Sequence, residues 1–259
     1  MKMTHSDDSS NPEGEFPRIV LAGATGFLGS ILLANLEELG LAVNCLPRIP
    51  DSGKDHNQYT QSDREIVFVN CIGVTPGESP KTVEEYEMSN VRPLNRIFDI
   101  YGDKIKKFVH CSTWLTEEGE KNAYVNSKIS AENLVNKAAE FYGFESAVLN
   151  LPTIWSKKKY KNPSLLHDIC SSNLAISEFQ PKNPHSKVKI GTEEFFINSV
   201  LESLSSEFRL DGLASTETWE GKTNDLISDL ALTQSLDAAH TNHTLYKLSQ
   251  IINFWKSVA

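Results

Sequence analysis

Long apolar runs are what this sequence has least of. None approaches the roughly 20 residues that a membrane-spanning helix requires, so no membrane partner is expected and the protein reads as cytoplasmic. Basic residues are in deficit. With 25 Lys and Arg against 34 Asp and Glu, the formal charge is −9, a sign that repels phosphate backbones, and no nucleic acid is expected. Cysteine is scarce. Cys45, Cys71, Cys111 and Cys170 form no C-x-x-C pair, which argues against a paired-cysteine zinc site or a disulfide framework. Three of the four fall in predicted strands, so all are expected to be buried free thiols in a reducing compartment. His240 and His243 stand three residues apart without a third ligand nearby, so no metal is expected. Repeats and low-complexity tracts are lacking. Residues 1–17, polar and carrying Pro12, Gly14 and Pro17, lack the apolar run of a secretory signal and read as a disordered tail.

What is present begins at Arg18. Arg18 to Ala22 read as a short buried strand, and Gly23, Gly26 and Gly29 follow at three-residue spacing. From Phe27 to Leu39 the apolar residues Phe27, Leu28, Ile31, Leu32, Leu36 and Leu39 recur with helical period. Strand, glycine turn and helix in that order present backbone N–H groups and a positive dipole end to an anion, the physics of pyrophosphate binding in a dinucleotide fold. The spacing is G-x-x-G-x-x-G, not G-x-G-x-x-G. Gly23, Thr25, Gly26, Phe27, Leu28 and Gly29 are the cofactor residues this turn supplies.

The chain continues as alternating strands and helices. Gly40 ends the first helix, and Leu41 to Leu46 read as a second strand. At its end an acidic residue would grip a ribose 2′-OH and select NAD, but Arg48 stands there instead. A guanidinium suits a 2′-phosphate, so NADP is the expected cofactor, with NAD the alternative. Residues 51–65 are polar and too short for a full crossover. Glu65 to Ile72 return to a strand ending in Gly73, and its carboxyl end should lie under the cofactor. Lys81 to Tyr101 read as helix, kinked or restarted at Pro93. Lys107 to Cys111 form the next strand, with Ser112, Thr113 and Trp114 at its carboxyl end. A long helix runs from about Tyr124 to Phe141, and Glu145 to Leu151 form another strand, stopped by Pro152. The pattern predicts an α/β fold, a Rossmann-type doubly wound parallel sheet with helices on both faces.

Tyr124 and Lys128 stand one helical turn apart on the same face. A free phenol has a pKa of about 10, and lowering it by about three units takes roughly 4 kcal/mol of differential stabilisation. A neighbouring ammonium and the nicotinium charge supply part of that. A tyrosine so tuned hands a proton to a carbonyl oxygen as hydride reaches the carbon. Thr113, at the preceding strand end, can hydrogen-bond the same oxygen.

These segments together resemble the extended short-chain dehydrogenase/reductases, the NAD(P)-dependent epimerase/dehydratase family acting on nucleotide sugars. Gly23-Ala-Thr-Gly26-Phe-Leu-Gly29 is similar to their cofactor turn, and Val69-Asn-Cys71-Ile72-Gly73 to their cofactor-flanking strand end. Asn90-Val-Arg-Pro-Leu-Asn resembles the segment with a buried asparagine, and Val109-His-Cys111-Ser112-Thr113 the strand ending in the catalytic hydroxyl. Tyr124-Val-Asn-Ser-Lys128-Ile-Ser-Ala-Glu132 is similar to their active-site helix, and Leu151-Pro152-Thr153-Ile154-Trp155 to the turn approaching the nicotinamide. The resemblance implies Thr113, Tyr124 and Lys128 as catalytic residues, with Ser112 the second choice of hydroxyl. It also implies cofactor contacts from Cys71, Ile72, Gly73, Asn90, Cys111, Leu151, Pro152, Thr153 and Ile154. The loop between Thr113 and Tyr124 is much shorter than usual in the family, and residues 51–65 suggest a trimmed third strand.

The domains expected are a Rossmann domain over 18–155 and, interleaved with it, a small C-terminal substrate lobe over 156–259. In the latter, Lys157, Lys158, Lys159 and Lys161 surround Tyr160, which reads as a solvated loop. Lys187 to Leu204 read as strand then helix, and Leu245 to Val258 as a closing helix. Within that family, Arg48 and the absence of an acid beside Thr113 look more like a 4-ketoreductase than a dehydratase, and the resemblance alone implies the substrate class: NADPH-dependent reduction of a dTDP-linked 4-keto-6-deoxysugar, with Tyr124 as proton donor. The alternatives are a nucleotide-sugar 4-epimerase holding NAD and a non-catalytic dinucleotide sensor or scaffold. The quaternary state stays open, a homodimer among the options.

Overall fold

In the computed structural model of the chain, the described residues are 17–47, 65–77, 81–119, 121–157, 165–172, 174–208, 218–234 and 243–258. Arg48, the stretch 51–64, the lysines at 158, 159 and 161, Tyr160 and His240 therefore lie outside them. The chain divides into two compact units, and the main division falls between Asn150 and Leu151; the second unit takes Leu151–Asn198 and Ala214–Ala259, and Ser199–Leu213 between them belong to the first.

The first unit is built on five strands: β1 (Arg18–Ala22), β2 (Val43–Leu46), β3 (Ile66–Asn70), β4 (Ile105–Thr113) and β5 (Glu145–Leu151). Their order in the sheet is β2-β1-β3-β4-β5, and the pairs β1/β2, β1/β3 and β3/β4 are parallel. All five residues of β3 are buried, which is why it reads as an unbroken apolar run: a central parallel strand is covered on both faces. The order reverses at β1 and β3. Ligands of open α/β sheets bind outside the carboxyl ends of the strands at such a switch point.

Four helices flank this sheet: α1 (Phe27–Glu38), α2 (Val83–Asn90), α3 (Arg92–Tyr101) and α4 (Ala123–Tyr142). One face of the sheet buries Val20, Phe68 and Phe108 against Leu94, Ile97 and Phe98 of α3 and Ala131 and Val135 of α4. Phe108 stacks on Phe68 at 5.2 Å and meets Phe98 at 5.0 Å. Each buried ring contributes roughly 1.5–3 kcal/mol of burial free energy. Pro93 restarts the helix, as expected. It stands in the first turn of α3, where its missing N–H leaves no hydrogen bond unmade. A capping box opens α2: Thr82 Oγ1 accepts from Glu85 N–H, and Thr82 N–H donates to the Glu85 carboxylate.

The second unit has its own three-stranded sheet, β6 (Thr153–Trp155), β7 (Lys187–Thr192) and β8 (Trp219–Lys222), in the order β6-β7-β8. Strand β6 runs parallel to β7, and β8 antiparallel. Trp155, Ile190, Leu226, Leu230, Leu248 and Ile252 form its core, drawn in part from α7 (Thr223–Gln234) and α8 (His243–Val258); α5 (Leu165–Ser171) adds Ile169, and α6 (Glu193–Phe208) follows β7 directly. Trp255 Nε1 donates to the Ser156 carbonyl at 2.8 Å, which ties α8 to the end of β6. The strand and helix expected from Lys187 are present. Strands β6 and β8 were not expected, because three or four residues carry no readable period.

Several expectations need correction. Strand β4 begins two residues earlier than predicted, at Ile105, because Ile105 pairs with Ile66 of β3, and it carries Ser112 and Thr113 within it, past its last pair with β3 at His110. Leu41 and Ala42 lie outside β2. The cysteines are free, but only Cys111 is buried; Cys45, Cys71 and Cys170 are partly exposed, because they stand at or near element ends where burial is incomplete. His243 lies 3.9 Å from the Glu194 carboxylate, which also takes Lys247 at 3.2 Å. Among the described residues no helix is long and apolar enough to cross a membrane, and no cluster of three metal-ligating side chains occurs.

Candidate functional site

The site is built at the carboxyl ends of β1, β3 and β4. Gly23 has φ +79°, and a Cβ on it would fall 2.8 Å from the Cys71 carbonyl carbon and oxygen. Only glycine fits, on both backbone conformation and space. A Cβ on Gly29 would collide with the Gly23 carbonyl oxygen. Gly26 closes the turn by donating to that oxygen at 2.9 Å. It caps α1 without any side-chain hydrogen bond, and the first turn of α1 holds no acidic residue. The start of α1 is thus open to an anion, with Thr25 exposed beside it and Phe27 and Leu28 half-buried in its first turn.

Beyond β3 the chain is held by two asparagines. Asn70 accepts from the Ile72 N–H at 3.1 Å through Oδ1 and donates through Nδ2 to His110 Nδ1 at 2.9 Å. That pairing makes Nδ1 the acceptor and places the His110 proton on Nε2, which has no hydrogen-bond partner among the described residues. Burial, then the charge of Lys128, holds His110 well below its ordinary pKa, so the ring is neutral. Asn90 accepts from Val74 N–H at 2.7 Å and donates to the Val74 carbonyl at 3.3 Å and to Ser127 Oγ at 2.9 Å. Ser127 Oγ in turn donates to the Tyr124 carbonyl at 2.7 Å. Asn90 therefore braces the segment after Gly73 against α4.

Lys128 is 6% exposed and donates from Nζ to the Cys111 carbonyl at 2.8 Å. A Cβ on Gly73 would stand 3.7 Å from the same ammonium and 3.2 Å from Asn90 Oδ1. Burial pulls the Lys128 pKa down, while Cys111, Glu132 and Cys71 pull it up. Tyr124 is the second residue of α4, whose start is capped by Asn122 Oδ1 accepting from Val125 N–H at 2.9 Å. It is 7% exposed, and its ring centroid lies 5.7 Å from that of Tyr86. Val74 and Leu115 pack on this pair of rings. Leu115 belongs to the single 3-10 turn that follows Thr113.

Strand alternation separates the two candidate hydroxyls. Ser112 Oγ donates to the Glu132 carboxylate of α4. Thr113 has the same facing as Cys111, whose sulfur meets Cys71 Sγ at 3.7 Å. Contacts thus lead from Cys71 through Cys111 to Lys128, and separately from Asn90 through Ser127 to the Tyr124 carbonyl, and the two series flank Gly73. Leu151 ends β5, Pro152 follows, and Thr153 and Ile154 lie on β6; these four belong to the second unit.

Asn70, His110, Ser127 and Glu132 were not singled out as site residues from the sequence. Asn70 carried a signal: a polar residue in an apolar parallel strand must find a partner. Glu132 stands one turn beyond Lys128 on the same helix face.

The fold is shared with solved structures. One is the capsular polysaccharide assembling protein CapF from Staphylococcus aureus (TM-score 0.64, 18% identity, 92% of this chain), of which this chain covers 64%. Another is a UDP-glucuronic acid 4-epimerase from Bacillus cereus in complex with NAD (TM-score 0.65, 15% identity, 93% of this chain and 97% of that one). A third is RMD from Pseudomonas aeruginosa complexed with NADPH (TM-score 0.66, 16% identity, 94% and 99%). This agrees with the Rossmann-type fold read from the motifs. No family model matches the chain, and no curated protein matches it by sequence.

Proposed function

We propose that the protein is an NAD(P)-dependent oxidoreductase acting on a nucleotide-linked sugar. The observation that carries this reading is the buried Lys128, fixed on the Cys111 carbonyl beside Gly73 and one helical turn from Tyr124. The residues present fit a dinucleotide. Gly23 and Gly29 leave no room for side chains, and α1 begins without a side-chain cap or an acid. Gly23, Thr25, Gly26 and the first turn of α1 would hold its pyrophosphate, and Cys71 to Gly73 would flank it. Bound, the nicotinamide supplies or accepts a hydride.

The chain's own groups handle the proton. Tyr124 donates its phenolic proton to the sugar oxygen in the reductive direction and takes it back in the oxidative one. The Lys128 ammonium stabilises the phenolate that remains. Thr113 orients the reacting oxygen by a hydrogen bond. Asn90 and Ser127 act on the reaction by holding the backbone around Gly73 and Tyr124, since their polar atoms are engaged with the protein.

The finer reading is NADPH-dependent reduction of a dTDP-linked 4-keto-6-deoxysugar at C4. Arg48, which would meet a 2′-phosphate, supports NADP. A second reading, a nucleotide-sugar 4-epimerase with retained NAD, is supported by the epimerases among the fold neighbours, one of them in complex with NAD. Purified protein is denatured and its released dinucleotide weighed, then NADPH oxidation is followed with a dTDP-4-keto-6-deoxyhexose. Steady NADPH consumption is expected. Retained NAD with interconversion of UDP-sugars and no net consumption would favour the epimerase. Tyr124→Phe should lower turnover at least about 100-fold while sparing dinucleotide affinity. Unchanged turnover in that variant would show that the proton comes from another group.

A further inference from the structure

Two of the four cysteines meet inside the candidate site. Asn70 of β3 is in register with His110 of β4, where paired strands lie about 4.8 Å apart, and Cys71 and Cys111 are the next residue on each. That spacing lies within the Cα separations that disulfides span. The two sulfurs are 3.7 Å apart, against about 2.05 Å in a disulfide. Cys71 lies just past the end of β3 and is partly exposed, whereas Cys111 is buried within β4. Of the two residues Cys71 is the less buried, so it is the one to meet an oxidant first, with Cys111 beside it to resolve it.

We propose that Cys71 and Cys111 form an oxidisable dithiol, joined by a peroxide into a disulfide that disables the dinucleotide cradle. The Cys71 thiolate attacks one peroxide oxygen, the O–O bond breaks, and a sulfenic acid and hydroxide form. The Cys111 sulfur then displaces hydroxide from that sulfenyl sulfur. Two thiols lose two electrons and two protons, and one peroxide becomes two waters.

The position of the pair gives the bond its consequence. The Cys71 carbonyl and the Ile72 nitrogen are the surface on which Gly23 rests, and the Cys111 carbonyl holds Lys128. Closing the sulfur gap draws Cys71 off the glycine turn or shifts the Lys128 anchor. The hydrogen-bonding contact with Cys111 and burial push the Cys71 thiol up. The neutral thiol therefore prevails near pH 7, and the disulfide should form faster as pH rises.

The effect on binding rests on the dinucleotide reading above; the bond itself does not. The full chain is treated with hydrogen peroxide, denatured, alkylated and mapped by mass, and NADPH affinity is measured before and after. A Cys71–Cys111 link is expected, with the intact mass lower by about 2 Da. Cys45 and Cys170 should be alkylated, and NADPH affinity should be weakened at least about tenfold and restored by dithiothreitol. Cys71→Ala should lose the peroxide response whatever its starting affinity. Four alkylated thiols after peroxide, a link that leaves affinity unchanged, or a response persisting in Cys71→Ala would each overturn the proposal. Reduced protein that binds neither NADPH nor NADH would instead remove the dinucleotide reading, and the thiol map, which needs no variant, would still decide whether the pair forms.

Discussion

At the end of β4, one residue of strand register separates two chemically similar hydroxyls. Ser112 is engaged with the Glu132 carboxylate of α4, while Thr113 takes the facing of Cys111. Their substitutions should therefore behave differently. Under the role proposed for Thr113, a hydrogen bond to the reacting oxygen, Thr113→Val should lower kcat at least about tenfold. Ser112→Ala should leave kcat within a few-fold but lower unfolding free energy by about 1 kcal/mol, because Glu132 loses a partner. Steady-state kinetics and urea unfolding of both variants check this, and equal kinetic losses would remove the distinction. Both hydroxyls were legible in the sequence at a strand end. Which of them is engaged by α4 was not, since that depends on where Glu132 lands.

Among elements, the turn from β1 into α1 is the most constrained. Gly29 lies in the first turn of α1 with no space for a Cβ above the Gly23 carbonyl. Gly29→Ala must push that carbonyl away and displace Gly23 from the Cys71 backbone. Dinucleotide affinity should fall at least about tenfold, with circular dichroism showing the helices retained. Isothermal titration with NADPH and NADH tests this, and unaltered affinity would mean that the turn does not hold a pyrophosphate. Period and glycine spacing made this element readable in advance, because everything it needs is local. The same holds for α4, whose polar and apolar faces announce a helix, and for the restart at Pro93. Strands β6 and β8 had no such local signature. They exist because β7 pairs with them.

For the whole molecule, the buried Asn70–His110 pair couples stability to pH. His110 is fully buried and neutral, while in the unfolded chain its pKa returns to about 6.5. Below that value the unfolded state binds the extra proton and the folded state does not. Stability is thus fully present above about pH 6.5 and falls as pH drops, by about 1.4 kcal/mol per pH unit from this group. His110→Gln, which can still accept from Asn70, should lack this contribution. Urea unfolding at pH 7.0 and 5.5 should show a loss smaller by about 1 kcal/mol in the variant. Equal losses would mean that His110 charges in the folded state.

The sequence by itself determined what depends on neighbours along the chain: the alternation of strand and helix, the glycine turn, the Tyr124–Lys128 spacing and the apolar run of β3. Tertiary structure alone decided which of those residues meet. It set β3 beside β1, brought Cys71 onto Cys111, gave Lys128 the Cys111 carbonyl and Asn90 the Val74 backbone, and paired Asn70 with His110. The physical reason is range. Backbone period and turn chemistry act over a few residues, whereas these side-chain contacts join positions 16 to 40 residues apart that only the packed fold brings within reach.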